Sequence, residues 1–482
     1  MNYSIVFYMT GRILQIEALL FTLPMVTAVF YRENCFFALL ISSLIAGAVG
    51  FFLTTVFKKK DSMIYVKEGM TIVALAWILM SVIGALPFVI SGEIPSFFDA
   101  FFETVSGFTT TGASILTDIE AMSKGLLFWR SFTHWIGGMG VLVFIMAIFP
   151  QESGRSIHIM RAEMPGPIIG KLVPKIRETA KILYLIYIVM TVIEIILLCV
   201  GGMSIFESIV HTFGTAGTGG FGVKADSIGG YSPYLQWVIT IFMLLFGINF
   251  NLYYLILAKK IKTALKSSEM WCYFAIVAIS ITAICINLHS VYGSFSETFR
   301  HSSFQVASII TTTGYATTDF NTWPEFSKML LVALMFIGGC AGSTAGGLKV
   351  SRIILLVKAV FRDLKHTLHP RSVASVKFEG KKIERDTING VTTYFALYFI
   401  LFFLMLVLIS LDSFDFETTF TATAACFNNV GPGLSAVGPA SNYAAFSNLS
   451  KMILSFAMLL GRLEIYPMLL AFAPALWRNK KH

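Results

Sequence analysis

Four short stretches carry the residue types best able to do chemistry in this chain. They are Thr110-Thr111-Gly112-Ala113, Gly217-Thr218-Gly219-Gly220, Thr312-Thr313-Gly314-Tyr315 and Asn429-Val430-Gly431-Pro432. None holds a nucleophile beside a base or a metal-ligand spacing. Their resource is backbone: glycine admits dihedral angles closed to other residues and lets chains approach closely, which bares carbonyl oxygens, and the threonines add hydroxyls. A dehydrated potassium ion needs a ring of oxygens in place of its water, and four extended segments about one axis can supply it. One Thr-Gly loop alone reads as a turn between helices. Here glycines 112, 219, 314 and 431 recur at intervals of 107, 95 and 117 residues, the mark of an internal repeat.

Non-helical backbone of this kind lies at membrane depth only where protein or water encloses it, and the rest of the chain supplies the enclosure. Of its 482 residues 56% are apolar and 13% charged, with mean hydropathy +0.75, outside the range of soluble domains. Ten membrane spans fit the pattern, at about 13–30, 36–57, 68–90, 129–149, 180–201, 234–258, 270–289, 329–359, 390–411 and 451–476, each near the roughly 20 residues that cross a bilayer. The first apolar stretch has no small-residue cleavage site and is expected to persist as a helix. Each loop follows a short, moderately apolar stretch beginning near Phe98, Phe206, Phe299 or Phe416. Three of these pair Phe with an acid (Phe98-Asp99, Phe206-Glu207, Phe416-Glu417), and the other sets His301 before Gly314. The expected fold is an all-α membrane protein of four helix, pore loop, helix units around one pore, plus two extra N-terminal transmembrane helices. The expected boundaries are 1–66 for the extension, then 67–170, 171–266, 267–375 and 376–482 for the four units.

The formal charge of +9 reports topology rather than a nucleic-acid partner, because positive loops stay cytoplasmic. Segments 58–67, 151–181, 259–266, 349–385 and 478–481 hold 27 of the 36 Lys and Arg, so both termini are expected inside. The opposite segments, 91–128, 203–233, 291–328 and 412–451, hold 13 acids against five bases, an excess that would concentrate cations at an outer mouth. Asp99, Glu207 and Glu417 are expected to cap their short helices at the positive helix end. Six scattered cysteines without a CxxC or a histidine cluster read as free, apolar thiols.

The third unit departs from the others. Gly338-Gly339-Cys340-Ala341-Gly342-Ser343-Thr344-Ala345-Gly346-Gly347 puts five glycines where a plain helix is expected. The helix there is expected to be broken, close packing of small residues being the bland alternative. A phosphate loop is excluded, because Gly342 to Lys349 has one residue too many and no strand precedes it; no bound nucleotide is expected on this chain. A broken segment beneath the glycine loops would be a flexible constriction, a gate. Arg462 and Glu464 lie deep in the last span, where ionisable groups are paired or functional. Arg130, near a span end, is expected to snorkel, and His134 and Glu194 read as structural partners rather than ion ligands. No HExxH or GxSxG is present, so an enzyme is not expected.

The four loops, together with Gly338–Arg352 (GGCAGSTAGGLKVSR) and Gly461–Pro467 (GRLEIYP), make nearly the whole chain resemble the TrkH and KtrB family of microbial potassium uptake proteins. The two extra spans and the GRLEIYP wording look more like the TrkH branch. The resemblance implies potassium as the transported ion, with the sixteen loop residues as its selectivity filter. In sodium-carrying plant relatives serine replaces the first filter glycine, whereas Gly112, Gly219, Gly314 and Gly431 are all glycine here. It further implies a gating loop containing Gly338, Gly339, Gly342, Ser343, Thr344, Gly346, Gly347 and Lys349, with Arg462 helping to block the closed pore. It also implies a homodimer in the lipid of a prokaryotic cytoplasmic membrane, governed by a cytosolic nucleotide-binding ring of the TrkA type. Only Thr313-Gly314-Tyr315 approaches the potassium-channel TVGYG wording; Asn429 and Pro432 depart from it. The leading reading is gated, channel-like potassium uptake, in which an interior-negative potential contributes about 2.3 kcal/mol per charge per 100 mV. The alternative is a proton- or sodium-coupled potassium symporter with Glu194 or Glu464 as a proton site. A pore-less membrane enzyme or receptor is a third reading, disfavoured by the missing catalytic set.

Overall fold

The computed structural model describes residues 1–57, 65–140, 176–371 and 375–473, with side chains from Ala180 onward in the third stretch. Helices α1 (Tyr3–Leu20) and α2 (Thr22–Tyr31) run on as one span, and α3 (Cys35–Val56) returns beside α1. The following helices form four consecutive triplets, each a long helix, a short buried helix and a second helix. They are α4 (Val66–Ser91), α5 (Phe97–Phe108) and α6 (Lys124–Gly138); then α7 (Ile176–Val200), α8 (Ile205–Gly217) and α9 (Pro233–Phe246). After α10 (Phe250–Leu257) and α11 (Ile261–Ala264) come α12 (Ser268–Asn287), α13 (Phe295–Ile310) and α14 (Glu325–Ile337). Helix α15 (Val350–Leu368) and a two-stranded hairpin, β1 (Lys377–Phe378) with β2 (Lys381–Lys382), lead to α16 (Arg385–Ile409), α17 (Phe416–Phe427), α18 (Asn448–Arg462) and α19 (Tyr466–Phe472). Within each triplet the short helix packs on both neighbours, and α6 touches α8, α9 touches α13, α14 touches α17 and α18 touches α5. The contacts therefore run from one triplet to the next and close on the first.

Six of the described helices are long and apolar enough to cross a membrane, α1 and α2 counting as one. Their outward faces stay apolar: Phe30 is 78% exposed, Val200 75% and Ile286 73%. A soluble protein would bury such rings and branched chains, so the surface fits lipid and the chain is a multi-pass membrane protein. The short helices are mostly buried beyond their first turn.

Several expected spans are not single helices. The one at 234–258 bends by 90° between α9 and α10. The one at 329–359 is non-helical from Gly338 to Lys349, the break that its five glycines led to expect, and the one at 451–476 breaks after Arg462, where Glu464 and Ile465 both have positive φ. Helix α6 ends at Gly138; the part of the 129–149 expectation beyond residue 140 lies outside the described residues. Apolar composition registers length but not the break, because Gly-rich backbone enclosed by protein remains apolar in sequence.

The short helices start differently from expectation. Ser96 and Ser204 accept from the amides of Asp99 and Glu207, and Asp415 accepts from that of Thr418. A side-chain oxygen preceding the helix reaches the free amides of the first turn, so Asp99, Glu207 and Glu417 ride in that turn without capping it. Helix α13 begins a turn early, at 16 residues against 12 or 13 for the others, with Glu297 in its first turn. His301 thus lies inside the helix, its Nδ1 2.8 Å from the Thr317 hydroxyl.

Candidate functional site

Each short helix ends in a loop with one backbone signature, a left-handed residue followed two positions later by a left-handed glycine. The pairs are Thr110 and Gly112 (φ 54° and 82°), Thr218 and Gly220 (56° and 78°), Thr312 and Gly314 (56° and 83°), and Asn429 and Gly431 (58° and 95°). Only glycine adopts such an angle without steric cost. The signature corrects the sequence register of the second loop: Gly220, not Gly219, matches the other three glycines, and Gly219 occupies the position of Thr111, Thr313 and Val430. With three glycines in Gly217–Gly220 the wording could not select among them; the end of α8 at Gly217 does.

The four loops touch in a closed ring. A Cβ on Gly112 would strike the carbonyl oxygen of Gly219, on Gly220 that of Thr313, on Gly314 that of Val430, and on Gly431 that of Thr111. All four left-handed glycines also line one recess of about 120 Å³. Its charged lining residues are Arg130 and Lys224, and no carboxylate is among them. Three of the thirteen acids on the outer segments are engaged elsewhere: Asp99 pairs with Lys451 at 2.6 Å, Glu325 with Lys328 at 2.6 Å, and Glu103 is buried.

Hydrogen bonds fix the loops from behind. The Asn429 amide donates to the Thr111 hydroxyl (3.0 Å) and the Met458 carbonyl (2.9 Å), joining the fourth loop to the first. The Tyr315 hydroxyl lies 3.0 Å from the carbonyls of His211 and Phe221, and that of Tyr443 donates to the Gly431 carbonyl at 2.7 Å. Arg130 does not snorkel: its side chain is 2% exposed and its Nε donates to Glu103 at 2.5 Å. A guanidinium out of water requires such a partner. Glu103 also accepts from the Ser114 hydroxyl and the Ile115 amide, both at 2.9 Å, while Arg130 reaches the Gly222 carbonyl (3.2 Å) and stacks 3.5 Å from the Phe221 ring. The pair therefore braces the first loop against the second. Sequence reading missed Glu103, counted as a mouth charge, and Tyr443; nothing in their local wording signals burial. His134 is a structural partner, its Nδ1 2.7 Å from the Gly107 carbonyl. Glu194 is wholly buried beside Thr215 of α8.

At the third and fourth ring positions, the segment from Gly338 to Lys349 presses on the loops. The Gly346 amide donates to the Thr312 hydroxyl (2.6 Å) and the Gly347 amide to the Asn428 carbonyl (3.1 Å). Across the bend in the second triplet, Cys340 N meets Gly247 O and Phe250 N meets Gly342 O, each at 3.0 Å. The Ser343 hydroxyl closes a turn on the Cys340 carbonyl (2.7 Å), and a Cβ on Gly339 would crowd Ala345. Lys349, 2% exposed, holds a positive φ of 77° and donates to the Ala345 carbonyl, a strained residue kept in place by its surroundings. Arg462 donates to Thr344 O (2.7 Å) in this segment and to Gly137 O (2.5 Å) and Gly138 O (2.7 Å) at the end of α6. It bridges the segment to the first triplet. Glu464 pairs with Arg352, which stacks 4.2 Å from the Tyr394 ring.

A multi-helix membrane scaffold whose buried loops expose carbonyls around one ring belongs to the class of ion-transport proteins, and comparison with known proteins agrees. The family model TrkH, described as a cation transport protein, matches residues 33–479. The Trk system potassium uptake protein TrkH of Escherichia coli K12 is 37% identical over 465 residues, covering 95% of each chain. The protein TrkG of the same organism is 33% identical over 485 residues, covering 98% and 99%. The crystal structure of the potassium transporter TrkH from Vibrio parahaemolyticus superposes with a TM-score of 0.90 at 32% identity, covering 99% of this chain and all of that one. This chain belongs to the TrkH family of cation transport proteins. The relatives are named as uptake transporters, not enzymes.

Proposed function

We propose that this chain takes up potassium through a gated, channel-like pore in the cytoplasmic membrane of a prokaryote. The observation that carries the reading is the closed ring of four loops with a shared left-handed signature. In it the four triplets are helix, pore loop, helix units around one pore, bounded near 67–170, 171–266, 267–375 and 376–482 after a two-helix extension. The filter is Thr110–Ala113, Thr218–Phe221, Thr312–Tyr315 and Asn429–Pro432, whose carbonyls replace the ion's water. The names of the relatives support potassium as the cargo.

The segment from Gly338 to Lys349 is the gate, and Arg462 holds it shut by joining Thr344 to Gly137 and Gly138. With the filter mouth outside, the basic segments and both termini face the cytoplasm, as the charge bias favours. A homodimer and a cytosolic TrkA-type regulatory ring complete the system, an assembly that the phrase "Trk system" in the relatives' names supports. Single-channel recording of the purified chain in a planar bilayer tests the mechanism. A unitary conductance far above carrier turnover is expected; slow, proton-linked flux would instead establish symport. Gly112→Ser is expected to admit sodium, and unchanged selectivity would remove the filter assignment.

A further inference from the structure

Resting on the reading of Gly338–Lys349 as the gate, we infer that Glu269 and Glu379 are positioning residues that tie this loop to the hairpin at the α15 end of the molecule. Glu269 stands in the first turn of α12, 5% exposed, and one of its oxygens, Oε1, accepts from both the Ala341 amide (2.7 Å) and the Ser351 amide (3.1 Å). Those two amides lie in the loop and at the start of α15. A single carboxylate oxygen thus fastens the loop and the helix that follows it to α12. A buried amide left without its acceptor is costly, so the loop cannot leave this shape without a loss.

The position of Glu269 is itself set from the hairpin. Glu379 takes the first place of the two-residue turn between β1 and β2, with φ 47° before Gly380 at φ 75°. Turns with both central angles positive favour Asn or Gly at that place, so glutamate is an unfavourable choice for the turn alone. Its Oε1 accepts from the Ser267 hydroxyl (3.1 Å), the Ser268 hydroxyl (3.2 Å) and the Glu269 amide (3.1 Å). A carboxylate at the amino end of α12 is favoured by the free amides and the helix dipole. The hairpin in turn sits on α15: Phe378, Val376 and Ile383 are buried with Leu355 and Ala359, and Lys358 donates to the Lys377 carbonyl at 2.9 Å. Loop, α15, hairpin and α12 make a closed circuit with the two glutamates as its two fastenings. Moving α15 away from α12 breaks both together, which gives any force on the exposed hairpin a route to the gate.

The test uses the full-length protein in planar bilayers. Glu269→Ala and Glu379→Ala are each expected to raise the open-to-closed ratio about tenfold, equivalent to about 1.4 kcal/mol, with unitary conductance and the potassium-to-sodium permeability ratio unchanged. Glu269→Gln keeps an acceptor oxygen and is expected to recover most of the wild-type ratio. Wild-type open probability in both alanine variants overturns the inference, as does an altered conductance or selectivity in place of altered gating. Amide hydrogen exchange is read in parallel. Glu379→Ala is expected to speed exchange at Ala341 and Ser351 about tenfold, and no change there overturns the coupling even if the wild-type chain conducts nothing. The latter result would remove the channel reading separately. If Glu269→Ala does not fold, Glu379→Ala, altered at an exposed turn, carries both measurements.

Discussion

Replacing Glu103 by Gln tests whether the brace behind the first two loops has the energetics its geometry demands. Glu103 and Arg130 are 0% and 2% exposed at their side chains and 2.5 Å apart. Gln keeps the shape and one acceptor oxygen but removes the charge, leaving Arg130 buried without its counter-charge. Removing one partner of a buried pair costs about 3–5 kcal/mol, whereas an exposed pair is worth about 0–1 kcal/mol. The Ser114 hydroxyl and Ile115 amide add to the loss, because both use the same carboxylate at 2.9 Å. A double-mutant cycle over Glu103→Gln, Arg130→Gln and both together, read by unfolding in detergent with a graded denaturant, gives the coupling directly. The expected coupling is about 3 kcal/mol, with the potassium-to-sodium permeability ratio falling in each single variant as the first two loops lose their common brace. A coupling below about 0.5 kcal/mol, the level of an exposed pair, would refute the reasoning, since Arg130 would then be reaching solvent.

Gly314→Ala forces a side chain onto φ 83° and into the Val430 carbonyl. The left-handed penalty alone is about 1–2 kcal/mol, and the expected outcome is at least about a tenfold drop in potassium-to-sodium permeability ratio by reversal potential. Arg462→Ala removes three donor contacts to Thr344, Gly137 and Gly138. Bonds from a charged donor are worth about 1.5–3 kcal/mol each before water returns to the carbonyls, so open probability should rise tenfold or more in single-channel records. Tyr443→Phe deletes the 2.7 Å bond to Gly431 O and the weaker contact with the Cys426 thiol, a loss of about 1 kcal/mol; a modest shift in selectivity with unchanged gating is expected, and a gating change would contradict its place behind the filter.

The sequence by itself determined the class of the protein and its family. Composition and span length require lipid because no soluble core accommodates so much apolar helix, and the Gly338–Arg352 and Gly461–Pro467 wording carries the kinship that the comparisons establish. It also located the loops, since a glycine following a short, moderately apolar stretch recurs at intervals of 107, 95 and 117 residues. Tertiary structure decided what local wording leaves degenerate. Among Gly217, Gly219 and Gly220, only the end of α8 and the carbonyl of Thr313 single out Gly220. Whether Arg130 meets water or Glu103 depends on the packing of α5 against α6, a contact between residues 27 positions apart. A span breaks where backbone groups find partners in distant segments, as Cys340 does at Gly247 and Ser351 at Glu269; the five glycines marked that break, whereas the spans at 234–258 and 451–476 read as continuous. Helix formation is local and leaves a trace in composition, but a break is stable only when remote atoms satisfy the freed amides and carbonyls. Those atoms are assembled by the fold alone.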